Sequence, residues 1–217
     1  MSPVTETAKA CTRVRVAIAG FFEDCRGIAA IEFAFILPIM LVMFFGTVEF
    51  SSGLAVDRKV SLVARALANL TSQGTQATST DLTNYFGAGN KIMTPYVQPM
   101  YPAPNMTISE LYIDPSSGNA RVQWSQGSSP RAQSSVVAIP SSLIARNPTT
   151  NAINPNQYVI FSEVNTLYTP TVGYVMAKSG VTLSDVAYAL PRQSTCVFFP
   201  STPAIVPPAT TAPCPTL

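Results

Sequence analysis

A run of 23 residues near the amino end constrains this chain more than any other feature. It extends from Ile28 to Phe50 and reads IAAIEFAFILPIMLVMFFGTVEF, with Glu32 and Glu49 as its only ionisable residues. A transmembrane helix needs about 20 predominantly apolar residues to cross a hydrocarbon core of roughly 30 Å. Both glutamates lie near the ends of the run, where a charge costs less than at the bilayer centre. We therefore predict that residues 28–50 form one transmembrane helix.

Three residues of this run bear on how the helix packs. Pro38 is tolerated inside a membrane helix, although it favours a kink. Gly46 is small enough to let another helix approach closely, and Glu49 marks the carboxyl end of the span.

Two alternatives to a transmembrane helix fit residues 28–50 less well. The buried helix of a soluble core would seldom be apolar all round, and a cleaved secretory signal normally has a shorter apolar core.

Basic residues flank the run with a slight excess on its amino-terminal side: Lys9, Arg13, Arg15 and Arg26 precede it, and Arg58, Lys59 and Arg65 follow it. Basic residues favour the cytoplasmic side, whereas large domains are translocated largely regardless of their charge. We predict a bacterial inner-membrane protein with a single signal-anchor helix. Residues 1–27 form a basic cytoplasmic leader, and the C-terminal domain is periplasmic.

The composition argues against several classes of function. The formal net charge is +2 and no basic, aromatic-rich stretch is present, so nucleic-acid binding is not expected. The chain has no histidine, which removes the commonest general base and metal ligand. We therefore expect no enzyme activity, catalytic residue, metal, cofactor or small-molecule substrate. An envelope hydrolase would instead require Asp114, Glu163 and Asp185 to converge in a cleft.

After the span, apolar residues recur at spacings of four and three, which is typical of one face of an amphipathic helix: Val56, Val60, Val63, Leu67 and Leu70. This pattern predicts that residues 51–72 extend the membrane helix, until Gly74 and a polar stretch end it. We expect the apolar face to pack mainly against its own domain.

Residues 73–195 are predicted to form a small exported α+β domain with an antiparallel sheet. Its expected elements are a short helix at 81–86, a hairpin of strands 106–113 and 120–124 around the turn 114–119, and strands at 158–168 and 186–190. Gly87 and Gly89 lack the rest of a phosphate-binding fingerprint and are predicted to form a turn. Trp124 is interpreted as a packing residue.

A Pro-rich tail is predicted at residues 196–217, with a cysteine at Cys196 and another at Cys214. In the predicted topology these two cysteines meet an oxidising compartment, whereas Cys11 and Cys25 do not. A Cys196–Cys214 disulfide would stabilise a loop with little core of its own by about 3 kcal/mol. Two free thiols remain the alternative.

The boundary between the leader and the apolar run reads Arg26-Gly27-Ile28-Ala-Ala-Ile-Glu32-Phe33. It resembles a type IV prepilin cleavage site, with glycine before the cut and glutamate at the fifth mature position. The resemblance implies that a prepilin peptidase cuts between Gly27 and Ile28. It also implies that Glu32, followed by Phe33, pairs with the amino terminus of a neighbouring subunit and sets axial register. The simpler alternative is that the Glu32 side chain only reaches the membrane–water interface and has no further role.

The wider stretch carries a more specific resemblance. The motif Gly27…Glu32-Phe33-Ala34, the internal Pro38, and Gly46 followed by Glu49 are similar to the TadE/TadG-like family of the tight-adherence (Tad, or Flp) pilus system. The resemblance implies a minor pilin or pseudopilin that acts in surface adherence and biofilm formation. Its expected partners are the inner membrane, other pilins and Tad assembly proteins. The alternative is an uncleaved, membrane-anchored envelope protein of the Tad assembly machinery.

Overall fold

The computed structural model describes residues 28–96, 103–170 and 180–200. The chain divides into two compact units, the first ending at Val48 and the second beginning at Glu49. Each unit is described by itself. The leader 1–27, including Gly27, and the segment 201–217, including Cys214, lie outside the described residues.

The first helix, α1, extends over Ile28–Ser72, 45 residues with Pro38 in its interior. The predicted end of this helix at Ser72 is confirmed, and its first described residue is Ile28. Residues up to Val48 belong to the first unit, and within them the Thr47 hydroxyl donates to the carbonyl oxygen of Met43 at 2.8 Å. This bond satisfies a polar side chain without a partner from outside the helix.

The part of α1 that belongs to the second unit is amphipathic. Val56, Val60, Val63 and Leu67 are buried, at spacings that place them on one helix face. They form a core cluster with residues of the second helix and of the sheet. The prediction that this face packs against its own domain is confirmed.

The second helix, α2, extends over Ser79–Met93. Its amino end has a capping box, in which the Thr78 hydroxyl accepts from the Asp81 backbone and the Asp81 carboxylate accepts from the Thr78 backbone. At its carboxyl end the Lys59 ammonium donates to the carbonyl oxygens of Ile92 and Thr94, where cations are favoured. Helix α2 is therefore longer than the predicted 81–86.

Gly87 and Gly89 are inside α2, so the predicted turn at these residues is wrong. A Cβ atom at Gly89 would lie 2.6 Å from the Met106 sulfur and 3.1 Å from a methyl carbon of Val63. Glycine thus lets α2 pack closely against α1 and the sheet. Gly87 faces open space.

Five strands form one antiparallel sheet: β1 Asn105–Ile113, β2 Ala120–Gly127, β3 Val136–Val137, β4 Gln157–Tyr168 and β5 Val181–Ala189. Their order is β3-β2-β1-β4-β5, with a register shift in the β1–β2 pair between Glu110 and Leu111. A short 3-10 helix, Ser141–Leu143, lies between β3 and β4. The α+β fold class is confirmed, and β5 begins five residues earlier than predicted.

The β1–β2 turn is organised by Asp114. Its carboxylate accepts from the Ser116 backbone and from the hydroxyls of Ser116 and Ser117, which lowers its pKa to about 2. Gly118 follows with φ +74°, a backbone conformation that a glycine adopts without strain. The predicted hairpin is confirmed, with β2 extending three residues past Trp124.

The two faces of the sheet are covered by different parts of the chain. One face, with Ile108, Trp124 and Ile160, packs against α1 and α2. On the other face, Leu111, Val122 and Val159 pack under partly buried residues of the segment between β3 and β4, namely Ile139, Leu143, Ile144 and Ile153. As a result, eight of the nine residues of β1 are buried. Trp124 is a core residue, as predicted.

Candidate functional site

The part of α1 in the first unit presents apolar side chains on all sides. Every residue from Ala29 to Val48 is exposed, except the half-buried Gly46. An 18-residue window of the helix has a mean hydropathy of 2.2, and none of that window is buried. In water a contiguous apolar surface of this kind is unfavourable, whereas lipid removes the cost and the helix satisfies its own backbone. The segment is long and apolar enough to cross a membrane and fits a single-pass anchor.

The residues of the predicted processing site lie at the start of this helix. Ile28 is its first residue, and Glu32 and Phe33 follow one turn later with exposed side chains. Residues four apart share a face of a helix. Glu32 is therefore on the same face as the amino terminus that a cut before Ile28 would create. Cleavage and the role of Glu32 stay predictions.

Glu49 has a different environment from Glu32. Its side chain is 3% exposed and belongs to the second unit. The hydroxyl of Tyr168 donates to the backbone oxygen of Glu49 at 3.4 Å. The same tyrosine ring lies over Gly53, where a Cβ atom would be 3.4 Å from the ring edge. This contact joins the end of β4 to the first turns of the domain part of α1.

Next to this contact the surface has an apolar groove of about 190 Å³. We call it the helix–β5 groove and define it by Phe50, Gly53, Leu54, Tyr168, Val181 and Leu183. Asp57 lies at its border. Phe50 and Leu54 are 63% and 42% exposed, so the groove is open to its surroundings.

A buried polar site, which the sequence did not predict, lies on the helix-facing side of the sheet. The Glu110 side chain is 1% exposed and accepts hydrogen bonds from the Trp124 indole and from the backbone of Val197. The same indole donates to the carbonyl oxygen of Val197 at 2.8 Å. Burial raises the pKa of Glu110 to about 8, against the opposing effect of these two hydrogen bonds. The group holds the chain after β5 against β1 and β2.

Residues next to Val197 belong to the same packing. Cys196 is fully buried beside Tyr112 and Tyr158, and Phe199 stacks on Trp124 with ring centroids 5.5 Å apart. Burial, together with Glu110 and Tyr112, raises the pKa of Tyr158 to about 12. The predicted disulfide partner of Cys196, Cys214, lies outside the described residues, so the Cys196–Cys214 disulfide stays a prediction.

The three acids that an envelope hydrolase would need do not converge. Asp114 is in the β1–β2 turn, next to Ile113, which pairs with Gln157 at the start of β4. Glu163 is six residues further along β4, about 20 Å away at the rise of a strand. Asp185 pairs with Val164, so its side chain is on the sheet face opposite to that of Glu163.

Glu163 has a structural partner instead. Its two carboxylate oxygens accept from the Arg131 guanidinium, each at 2.6 Å, and this guanidinium also lies over the Phe161 ring at 5.5 Å. Among residues 28–96, 103–170 and 180–200, no group of three or more His, Cys, Asp or Glu could hold a metal ion. Asp114 therefore organises a turn, and Glu163 forms an ion pair at the surface.

Together, the exposed apolar helix and the folded domain that follows it fit the class of single-pass membrane-anchored α+β proteins. Residues 27–69 match the family described as TadE-like protein, which confirms the predicted resemblance over that segment. The match covers about a fifth of the chain and includes the exposed apolar part of α1. It supports involvement in the Tad pilus system.

No curated protein and no solved structure matches this chain.

Proposed function

We propose that this chain is a minor pilin or pseudopilin-like component of the Tad (Flp) pilus assembly system. Its role is structural, in a pilus that serves surface adherence and biofilm formation. The observation that carries the proposal is a coincidence of two features. The segment that matches the TadE-like family is the one whose helix exposes apolar side chains on every side from Ala29 to Val48.

In this proposal α1 anchors the chain in the bacterial inner membrane, with the leader in the cytoplasm and the sheet domain in the periplasm. A Cys196–Cys214 disulfide would fit this topology, because disulfides persist in oxidising compartments such as the periplasm. Other pilins, Tad assembly proteins and a prepilin peptidase are the proposed partners.

The assembly role rests on Glu32. A carboxylate in an apolar helix is costly unless it is paired, and a cut after Gly27 creates an ammonium group at Ile28. Within one chain these two groups are one helical turn apart. In an assembly of staggered helices, the ammonium group of one subunit would meet Glu32 of the next. Pairing the two charges would favour one axial register, because other registers leave both charges unpaired in lipid.

Amino-terminal sequencing of the purified protein separates the two forms of this proposal. We expect Ile28 as the first residue when the chain is produced with its prepilin peptidase, and an uncut chain when Gly27 is replaced by valine. A first residue of Met1 or Ser2 in the unmodified chain would contradict processing. It would support the alternative, an uncleaved envelope protein of the Tad assembly machinery.

The substitution Glu32→Ala tests the assembly role. We expect cleavage to remain intact and the amount of the protein in sheared pili to fall by at least about tenfold, because the partner ammonium would be left unpaired in lipid. Quantitative immunoblots of the pilus and membrane fractions give the measurement. Glu32→Gln is the matched control for charge, and it should fail to the same extent. Incorporation of the alanine variant at normal levels would contradict the pairing.

A further inference from the structure

The helix–β5 groove has the chemistry of an apolar binding site. Five of its six residues contribute aliphatic or aromatic hydrocarbon, and Gly53 leaves space beside them. The hydroxyl of Tyr168 already donates to the Glu49 carbonyl oxygen. The lining therefore offers a polar ligand little to bind, apart from the Asp57 carboxylate at the border.

The size of the groove favours an occupant shaped like a chain. Pockets for compact small molecules usually have volumes of about 300–1,000 Å³. The groove has about 190 Å³ and is open along the surface. A stable protein partner would bury about 800 Å² on each side, far more than these six residues offer.

The groove also begins at the end of the apolar part of α1. Phe50 follows Val48 by two residues, and consecutive Cα atoms are 3.8 Å apart. Chain connectivity therefore keeps Phe50 within about 8 Å of Val48 at any angle between the two units. With α1 in a bilayer, this distance places the Phe50 end of the groove at the layer of headgroups and upper acyl chains. Tyrosine side chains such as Tyr168 are favoured at this interface.

We propose that the helix–β5 groove seats an acyl chain of the bilayer leaflet on the domain side, so that the sheet domain binds lipid next to its own anchor. The short chain separation between Phe50 and the apolar part of α1, which ends at Val48, favours this occupant over a segment of another protein. Asp57 would then lie at the level of the polar headgroups. This inference rests on the membrane anchoring proposed above.

Lipid photocross-linking of the full-length protein tests the inference. The protein is reconstituted in phosphatidylethanolamine and phosphatidylglycerol vesicles that contain a phospholipid with a photoactivatable acyl chain, and labelled residues are mapped by mass spectrometry. We expect labels between Ala29 and Val48 and also on Val181 or Leu183. Leu190 should stay unlabelled, because it is exposed but about 30 Å further along β5 than Val181.

A matched pair of variants makes the test specific. Leu54→Asn removes a side chain of the groove, whereas Leu62→Asn changes an exposed leucine eight residues later on the same helix. We expect the first variant to lower labelling of Val181 and Leu183 by about tenfold and the second to leave it unchanged. Because both side chains are surface-exposed, both variants should fold, which unfolding followed by Trp124 fluorescence checks.

The outcomes separate this inference from the proposed function. Labels confined to residues 29–48 would overturn lipid binding by the groove and leave the membrane anchor intact. Labels absent from both regions would overturn the anchor as well. Equal labelling of the groove in the two variants would also overturn the inference.

Discussion

Replacing Gly127 by alanine is expected to destabilise the sheet domain by on the order of 4 kcal/mol. Gly127 ends β2 with φ +139° and pairs with Thr107 of β1. A Cβ atom there would lie 2.2 Å from the Met106 carbonyl oxygen and 2.7 Å from the Thr107 Cα. Both contacts are with backbone atoms of a central strand, so neither can be relieved by a side-chain rotation. Urea denaturation followed by Trp124 fluorescence measures the loss.

Gly87→Ala is the matched control for this prediction. Gly87 is inside α2, and a Cβ atom there meets nothing within 4 Å. Alanine in a helix is more stable than glycine by roughly 0.5–1 kcal/mol, so this variant should gain a small amount of stability. If Gly127→Ala unfolded at the same urea concentration as the unmodified chain, the close β1–β2 approach described for Gly127 would be wrong.

Glu110 is expected to make the domain less stable as the pH rises from about 5 to 8. The pKa of this carboxyl is raised by burial from 4.5 to about 8. Between these values the unfolded chain loses the proton while the folded chain keeps it, so the folded state binds more protons. The stability contribution of Glu110 is fully present below pH 4.5 and is lost as the pH rises through about 8. The total change is on the order of 4 kcal/mol.

The composition makes this effect measurable. The chain has no histidine, so few other groups titrate between pH 5 and 8, and the lowered pKa of Asp114 acts only in acid, near pH 2 to 4. Trp124 is the single tryptophan and donates to Glu110 itself. For the unmodified chain, the urea concentration at the midpoint of unfolding, measured by Trp124 fluorescence, should fall from pH 5 through pH 6.5 to pH 8.

Glu110→Gln is the control, because an amide does not titrate. The glutamine amide nitrogen cannot accept a hydrogen bond, so the variant loses one of the two accepted bonds, and this loss does not depend on pH. We expect its urea midpoint to be nearly independent of pH over this range. A variant whose midpoint still falls in parallel with that of the unmodified chain would show that Glu110 is not the group responsible.

The sequence allowed α1 and the first hairpin to be predicted because their signals are local. Apolar composition defined the span, the four-and-three spacing from Val56 defined the extension, and Asp114 with Gly118 defined the turn. Gly87 and Gly89 were misinterpreted because glycine usually interrupts a helix. The capping box of Thr78 and Asp81 was the local signal for a longer helix.

The environment of Glu110 could not be predicted in this way. An acid within a strand would ordinarily face solvent. Here it is covered by Val197, which is 87 residues away in sequence, and by the indole of Trp124. Strand β3 has two residues and therefore no periodicity to detect. Both features depend on long-range packing, which a single sequence does not encode locally.

The double coverage of β1 limits where the domain can be recognised from outside. An antiparallel sheet with one bare side can offer a broad flat surface to a partner, but here the central strand has solvent on neither side. Contacts with other molecules must therefore be made around the perimeter: at strand ends, along the outer margin of β5, or on the outward sides of the helices. Substitutions in the middle of the sheet would then mainly alter the stability of the domain. Substitutions around the perimeter would mainly alter which molecules the domain binds.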